Sequence, residues 1–390
     1  MTNELGPMTG GLLARLNPTG GPNNAILATD GGGSRQATDG GGRSRSGIVV
    51  DALTRTQAAI VRDSDDHPDS EPGAAPARKR AAPIRLKSPG QAVAARKHLV
   101  KAHGFDRYES WVRLELVRTS LLGELRFAGS SVHYGRANLF RLGKPNTALL
   151  DQQAQAVAGR AAKREDRLSE IFVQIDDLWP FWQAITRIET TTSPRTAELL
   201  TLALQFATSV VMQLKDWAGC RRPSEVRSSI VPIIDVPGHP SLPSGHATSA
   251  FILSGVLQRL IGLGDPSEHP TAKLMQRLAF RVAHNREVAG VHFPIDSAAG
   301  HVLGDSLAGY FCAAAVGGSD RFHGAKFLCD GIDAGQGLDL ARATDDTDID
   351  TINPRAIAFA KDQFTRERHD WLGPMWDRAR AELDMQGLLY

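Results

Sequence analysis

At 390 residues with 42% apolar side chains, the chain is long enough for one large domain or two small ones with a substantial core. Forty-five Lys and Arg against 43 Asp and Glu leave a formal charge of +2, so nothing global calls for nucleic acid or an acidic membrane as partner. Three widely spaced cysteines, Cys220, Cys312 and Cys329, odd in number, form neither a zinc pattern nor a CxxC, which argues against a disulfide framework and weakly favours a reducing compartment.

In chain order, the first 17 residues, MTNELGPMTGGLLARLN, lack the basic start and apolar run of a secretory signal. Residues 1–90 read as a disordered Gly- and Pro-rich tail. ATDGGGSRQ at 28–36 is nearly repeated as ATDGGGRSR at 37–45, and glycine this dense loses much entropy on ordering while offering nothing to bury. An acidic stretch, Asp63 to Glu71, precedes a basic one, Arg78 to Lys87. The tail reads first as flexible and second as a tethering arm.

From Gln91 onward the pattern is helical, giving a single helical domain over 91–390. Helices are predicted at 91–103, 106–126, 146–163, 165–187, 194–217, 246–263, 270–286 and 295–315. Ser193 and Pro194 supply a start signal for the long helix ending near Trp217. Strand signals are sparse, such as Ile230 to Val236; Ala334 to Asp350 reads as a loop, and Arg355 to Leu383 as one or two closing helices. The expected class is all-α, a helical bundle with its site between facing helices and their loops.

No membrane span is predicted. A crossing needs about 18 continuous apolar residues. Leu199 to Leu214 is interrupted by Thr201, Gln205, Thr208, Ser209 and Gln213, and Ala250 to Gly264 contains Gln258 and Arg259. Both read as buried helices of a soluble, cytoplasmic-type bundle.

Three segments carry chemistry: Lys215-Asp-Trp-Ala-Gly-Cys-Arg-Arg222-Pro223, Pro243-Ser-Gly-His246, and Arg286-Glu-Val-Ala-Gly-Val-His292-Phe-Pro-Ile-Asp296. A tetrahedral oxyanion needs positive charge and converging donors, which Lys215, Arg222 and Arg286 can supply, the arginines with forked N–H geometry. Ser244, Gly245 and His246 open a helix, whose free N–H groups and positive dipole end make an anion seat; Gly245 permits close backbone approach. His292 and Asp296 lie four residues apart, so the carboxylate can hold the imidazole in one tautomer and present its other nitrogen as nucleophile or metal ligand. His246 then remains as an acid or base. Each segment alone has a plain structural reading as a cap, a solvated basic pair or a packed histidine. The three in this order do not.

Together they resemble the signature Lys-x6-Arg-Pro, Pro-Ser-Gly-His and Ser-Arg-x5-His-x3-Asp of the superfamily that joins type 2 phosphatidic acid phosphatases and vanadium-dependent haloperoxidases. Asn285 stands where that family usually has Ser. The resemblance spans residues 215–296, with its helical context reaching 165–315. It implies that Lys215, Arg222, Ser244, Gly245 and Arg286 bind the oxygens of phosphate or vanadate. In a phosphatase, His292 would form a phosphohistidine and His246 would protonate the leaving oxygen. In a haloperoxidase, His292 would ligate vanadium and His246 would manage peroxide protons.

The run Gly238-His-Pro-Ser-Leu-Pro-Ser-Gly-His246 resembles the corresponding run of vanadium bromoperoxidases, with Leu242 in place of an aromatic; His239 falls where their pocket histidine lies. Halide oxidation by hydrogen peroxide with vanadate as cofactor is therefore the first reading. Hydrolysis of phosphate esters, with no cofactor required, is the second, and a non-catalytic oxyanion-binding protein the third. Nothing in the sequence sets the oligomeric state.

Overall fold

The computed structural model describes residues 47–65, 104–263, 269–318, 321–329 and 357–390. It is mostly helical, as expected. In chain order α1 (Gly47–Asp65) and α2 (Ser110–Gly123) precede a meander of β1 (Leu125–Ala128), β2 (Ser131–Tyr134) and β3 (Ala137–Leu142). Then come α3 (Thr147–Arg160), α4 (Arg164–Asp176), α5 (Trp179–Thr186), α6 (Pro194–Ala218) and the short α7 (Pro223–Val226). The second half holds α8 (Gly245–Ile261), α9 (Pro270–Val288), α10 (Pro294–Val316), β4 (Phe322–Phe327), β5 (Ile357–Phe364) and α11 (Leu372–Met385).

Helix α8 is the central rod, flanked by α6, α9 and α10. Its ends are written locally. The Ser244 hydroxyl accepts from the Ala247 N–H at 3.3 Å, and Gly262, at φ 83°, takes the left-handed turn that stops the helix. Helix α6 begins at Pro194 in its first turn and ends at left-handed Gly219, so both limits fall within a residue or two of the prediction. By length and composition the segment Pro194–Val226 is apolar enough to cross a membrane, yet 83% of that apolar window is buried inside the protein. It is the core helix of the bundle.

Glycines on α10 set its distance from α8. A Cβ on Gly300 would lie 2.6 Å from the Ser244 carbonyl oxygen, and one on Gly304 would lie 2.8 Å from that of Thr248. The two backbones thus approach closely along the stretch that leads into the candidate site.

Five expectations are corrected. The predicted helix 106–126 stops at Gly123, and the chain then forms a five-stranded sheet, β1-β2-β3-β4-β5, antiparallel except for the parallel β3–β4 pair. Gly129 and Gly135, both at φ 56°, make its two tight turns. The sheet leans on the C-terminal half of α10, where Tyr310 packs against Tyr134, Phe206 and Phe322. Arg355 to Leu383, expected as helix, supplies β5 before α11.

The predicted strand Ile230 to Val236 is instead irregular. The Ile233 N–H donates to the Ala289 carbonyl at 3.1 Å, and Ile234 packs with Ile171, Ile175, Val288 and Val291. Helix 165–187 is broken in two, because the Asp177 carboxylate caps the Trp179 N–H at 2.9 Å and Pro180 opens α5. The predicted helix 91–103 and the loop 334–350 lie outside the described residues.

The fifth correction concerns the tail. Gly47–Asp65 is helix α1, and Ala52, Leu53, Thr56 and Ile60 are buried where it packs on α4, α5 and α9. The Arg277 guanidinium donates to the Ile60 carbonyl at 3.2 Å. The remainder of 1–90 lies outside the described residues. A chain starting at Ser88 returns two large apolar side chains of the core to water or leaves their partners exposed, at about 1.5–3 kcal/mol each. Its thermal midpoint is expected to fall by roughly 5–10 °C against the full chain, while a chain starting at Ser46 keeps it. An unchanged midpoint for the shorter chain would show α1 to be dispensable.

Candidate active site

The last turn of α6 carries Lys215, and the chain leaves through Gly219 to place Arg222 as the cap of α7. Both cations are almost fully buried, 1% and 2% exposed, so their charge works in a poorly solvated setting. The Lys215 ammonium donates to the carbonyls of Pro240 and Ser241, each at 2.8 Å. The Arg222 guanidinium donates through Nε to the His239 carbonyl at 3.2 Å and through Nη1 to the Val291 carbonyl at 2.9 Å. The loop before α8 is thereby drawn against the loop that carries His292.

At the N-terminus of α8, Ser244, Gly245 and His246 are all buried. The Ser244 N–H donates to the Asp296 backbone carbonyl at 2.9 Å, which ties the start of α8 to the start of α10. His246 Nε2 lies 3.2 Å from the backbone carbonyl of Gln174 on α4. A carbonyl only accepts, so that nitrogen carries the hydrogen.

Arg286 sits in the last turn of α9 and donates through Nη2 to the Ile171 carbonyl and to Gln174 Oε1, both at 3.0 Å. The chain turns at Gly290, φ 84°, and reaches His292 and the first turn of α10. Asp296 Oδ2 accepts from His292 Nδ1 at 3.0 Å, from the Phe293 N–H at 2.9 Å and from the Ser241 hydroxyl. His292 Nε2 lies 3.1 Å from Arg222 Nη1. A guanidinium only donates, so Nε2 presents its lone pair toward the cations while Nδ1 carries the hydrogen. This is the arrangement a nucleophilic or metal-ligating histidine needs.

His239 also joins the group, with Nδ1 3.2 Å from Arg222 Nη2. Two imidazoles, His239 and His292, thus stand against one buried guanidinium.

Sequence reasoning did not single out Ser241 or Gln174. Ser241 lies inside the Gly238 to His246 run, where the histidines drew the attention. Gln174 comes from α4, outside all three segments, and no local pattern marks it. Asn285, the departure from the family's Ser, donates to Glu170 Oε2 at 3.0 Å and Gln174 Oε1 at 3.1 Å, while its Oδ1 accepts from Arg167 at 3.0 Å. Glu170 in turn takes a forked pair from Arg281 at 2.8 and 2.6 Å. This buried network joins α4 to α9 beside Arg286.

Other histidines, a tryptophan and the cysteines have structural settings. His301 stacks on Phe251 with ring centres 3.7 Å apart and pairs with Asp305 at 2.9 Å. His284 lies 3.6 Å from Glu287, and burial holds its imidazole below the ordinary value despite that carboxylate. The Trp217 ring faces the Lys144 ammonium at 4.6 Å. Burial, reinforced by the Asp296 charge, pushes the Cys220 thiol up to about 12, so it is no thiolate nucleophile near neutral pH. All three cysteines are buried, and none is in a disulfide. Among the described residues no three His, Cys, Asp or Glu side chains assemble a site for a metal cation. The set is cationic and rich in N–H donors, suited to an anion.

Comparison with known proteins agrees with the segments' order. Residues 196–316 match the family model described as the PAP2 superfamily, a stretch that contains Lys215 through Asp296. No curated protein matches the chain. Among solved structures it is similar to the first bacterial vanadium-dependent iodoperoxidase at 18% identity, with a TM-score of 0.29. That match covers 52% of this chain and 47% of the other, so the chain spans about half the length of that structure.

Proposed function

We propose that the chain, whose residues 196–316 match the PAP2 superfamily model, is an enzyme working on a buried oxyanion, with vanadium-dependent haloperoxidase activity as its reaction. The observation that carries this choice is His239. It adds an imidazole beside Arg222, at the position expected from the bromoperoxidase-like run.

Vanadate fits the donor set. Lys215, Arg222 and Arg286 bring charge, the Ser244 hydroxyl and the Gly245 N–H bring donors at the start of α8, and His292 Nε2 brings a nitrogen lone pair facing Arg222. When bound, the vanadate centre supplies the Lewis acidity that turns hydrogen peroxide into an oxidant for a halide.

The chain's own residues do the rest. The three cations neutralise and orient the anion, and their burial keeps that attraction unscreened. Asp296 fixes the His292 tautomer, and the Ser241 hydroxyl shares that carboxylate oxygen. His246 moves protons at its imidazole, within the reach of the α8 N-terminus. His239 lines the approach to Arg222.

Hydrolysis of phosphate esters is the second reading, favoured by the His292–Asp296 pair itself. An imidazole with its Nδ1 held and its Nε2 lone pair turned to the cations is equipped to attack phosphorus, with His246 protonating the leaving oxygen.

Because one seat serves both anions, phosphate is expected to compete with vanadate. In calorimetry the apparent vanadate affinity should fall in proportion to added phosphate, and simultaneous independent binding of the two would contradict a shared site. Vanadate-loaded protein should then oxidise halide with peroxide. Ester hydrolysis without halide oxidation would instead select the second reading.

A further inference from the structure

Gln174 lies in the last turn of α4 and is completely buried. Its side-chain oxygen accepts from Arg286 Nη2 at 3.0 Å and from Asn285 Nδ2 at 3.1 Å, and its backbone carbonyl faces His246 Nε2 at 3.2 Å. One glutamine thus touches two residues of the candidate oxyanion site from an element outside all three sequence segments.

The two donors on Oε1 settle the orientation of the amide, since a flip would set its NH2 against two other N–H groups. Asn285 is itself held by Glu170 and Arg167, so the orientation is fixed from behind. The remaining group, Nε2, is buried and has no acceptor among the described residues. Buried donors are rarely left unmade, and this one belongs to the carboxamide whose oxygen contacts Arg286, on the residue whose backbone carbonyl faces His246.

We infer that Gln174 is an additional oxyanion-binding residue, its Nε2 donating to an oxygen of the bound tetrahedral anion. The inference rests on the oxyanion site proposed above. It also gives Asn285 a function that a serine is too short to perform, namely reaching across to Gln174 and holding the carboxamide in register. One neutral donor held by this network then complements the cations, adding geometric selectivity for a tetrahedral arrangement of oxygens without more positive charge.

The test is calorimetric titration with inorganic orthovanadate, and separately with inorganic phosphate, of the full-length wild-type protein and two variants. Gln174→Leu removes the donor and the acceptor. Gln174→Glu keeps the acceptor used by Arg286 and Asn285 but replaces the donor with a charged oxygen. Thermal melts followed by circular dichroism report folding.

Affinity for both anions is expected to fall roughly 10- to 100-fold in Gln174→Leu, the range for a hydrogen bond to a charged acceptor, and further in Gln174→Glu. Wild-type affinity in a folded Gln174→Leu overturns the inference. So does a Gln174→Glu protein that binds better than Gln174→Leu, because the residue would then serve only to position Arg286. If Gln174→Leu does not fold, Gln174→Glu decides alone, and wild-type binding by it overturns the donor role. A wild-type protein that binds neither anion overturns the oxyanion site itself, and this inference with it.

Discussion

His292→Ala is expected to abolish turnover and to release tightly held vanadate, whereas His246→Ala should keep the anion and lose most of the rate. The two imidazoles are both buried but differently bound. His292 is pinned through Nδ1 to Asp296 and directs Nε2 to within 3.1 Å of the Arg222 guanidinium. Removing it deletes the nitrogen lone pair that Asp296 holds toward the cations, whether it bonds to phosphorus or to vanadium. His246 opens α8 and turns Nε2 to a backbone carbonyl of α4, so its loss leaves Lys215, Arg222 and Arg286 in place. Turnover should fall by the roughly 10²–10⁴-fold typical of losing a general acid or base, with a modest change in affinity. Asp296→Asn belongs between them, since the imidazole stays but its tautomer is no longer enforced. Vanadate affinity by calorimetry and turnover, measured together on all three, decide the matter. Anion binding retained in His292→Ala and lost in His246→Ala would reverse the assignment.

Gly300→Val should cost the protein stability and activity at once. A Cβ at this position meets the Ser244 carbonyl oxygen at 2.6 Å and the Ala247 Cβ at 2.8 Å. The first of these is backbone and cannot rotate away. Helix α10 would have to move off α8, and overpacking of this kind costs about 1–3 kcal/mol or more. The displaced atoms include the Ser244 cap of α8, whose N–H donates to the Asp296 carbonyl one turn before Gly300. The damage is therefore expected to reach the anion seat, lowering the thermal midpoint and anion affinity together. Gly159→Ala is the control. It lies exposed in α3 with nothing within 4 Å of the added carbon, and should hold or slightly raise the midpoint. A Gly300→Val protein melting like wild type would mean that the α8–α10 contact is less tight than its geometry indicates.

The four long helices around the site were legible in the chain alone. Their apolar periodicity is local, and their ends are written by residues at the ends themselves: Ser193 and Pro194 before α6, Ser244 before α8, Pro270 at the start of α9, Pro294 at the start of α10. The spacing of Lys215 to Arg222 and of His292 to Asp296 was legible for the same reason, since each pair lies within a single turn or loop. How these pairs come together depends on packing. Close approach of α8 and α10 through Gly300 and Gly304 sets Ser244 beside Asp296, and the Ser241 hydroxyl reaches the carboxylate only because Lys215 draws that loop inward.

The sheet and the second layer of the site were decided by tertiary structure. Strands β1 to β3 are four to six residues long, too short for a period of two to stand out, and β3 takes its parallel partner β4 from the far side of the helical core. Helix α1 has an apolar face that means little until α4 and α9 are there to cover it. Gln174, Glu170 and Asn285 are polar residues inside otherwise ordinary helices, and their hydrogen bonds form across 111 to 115 positions of sequence. A local pattern records how a segment folds back on itself through its own repeat; it holds no record of which distant surface will exclude the water from it.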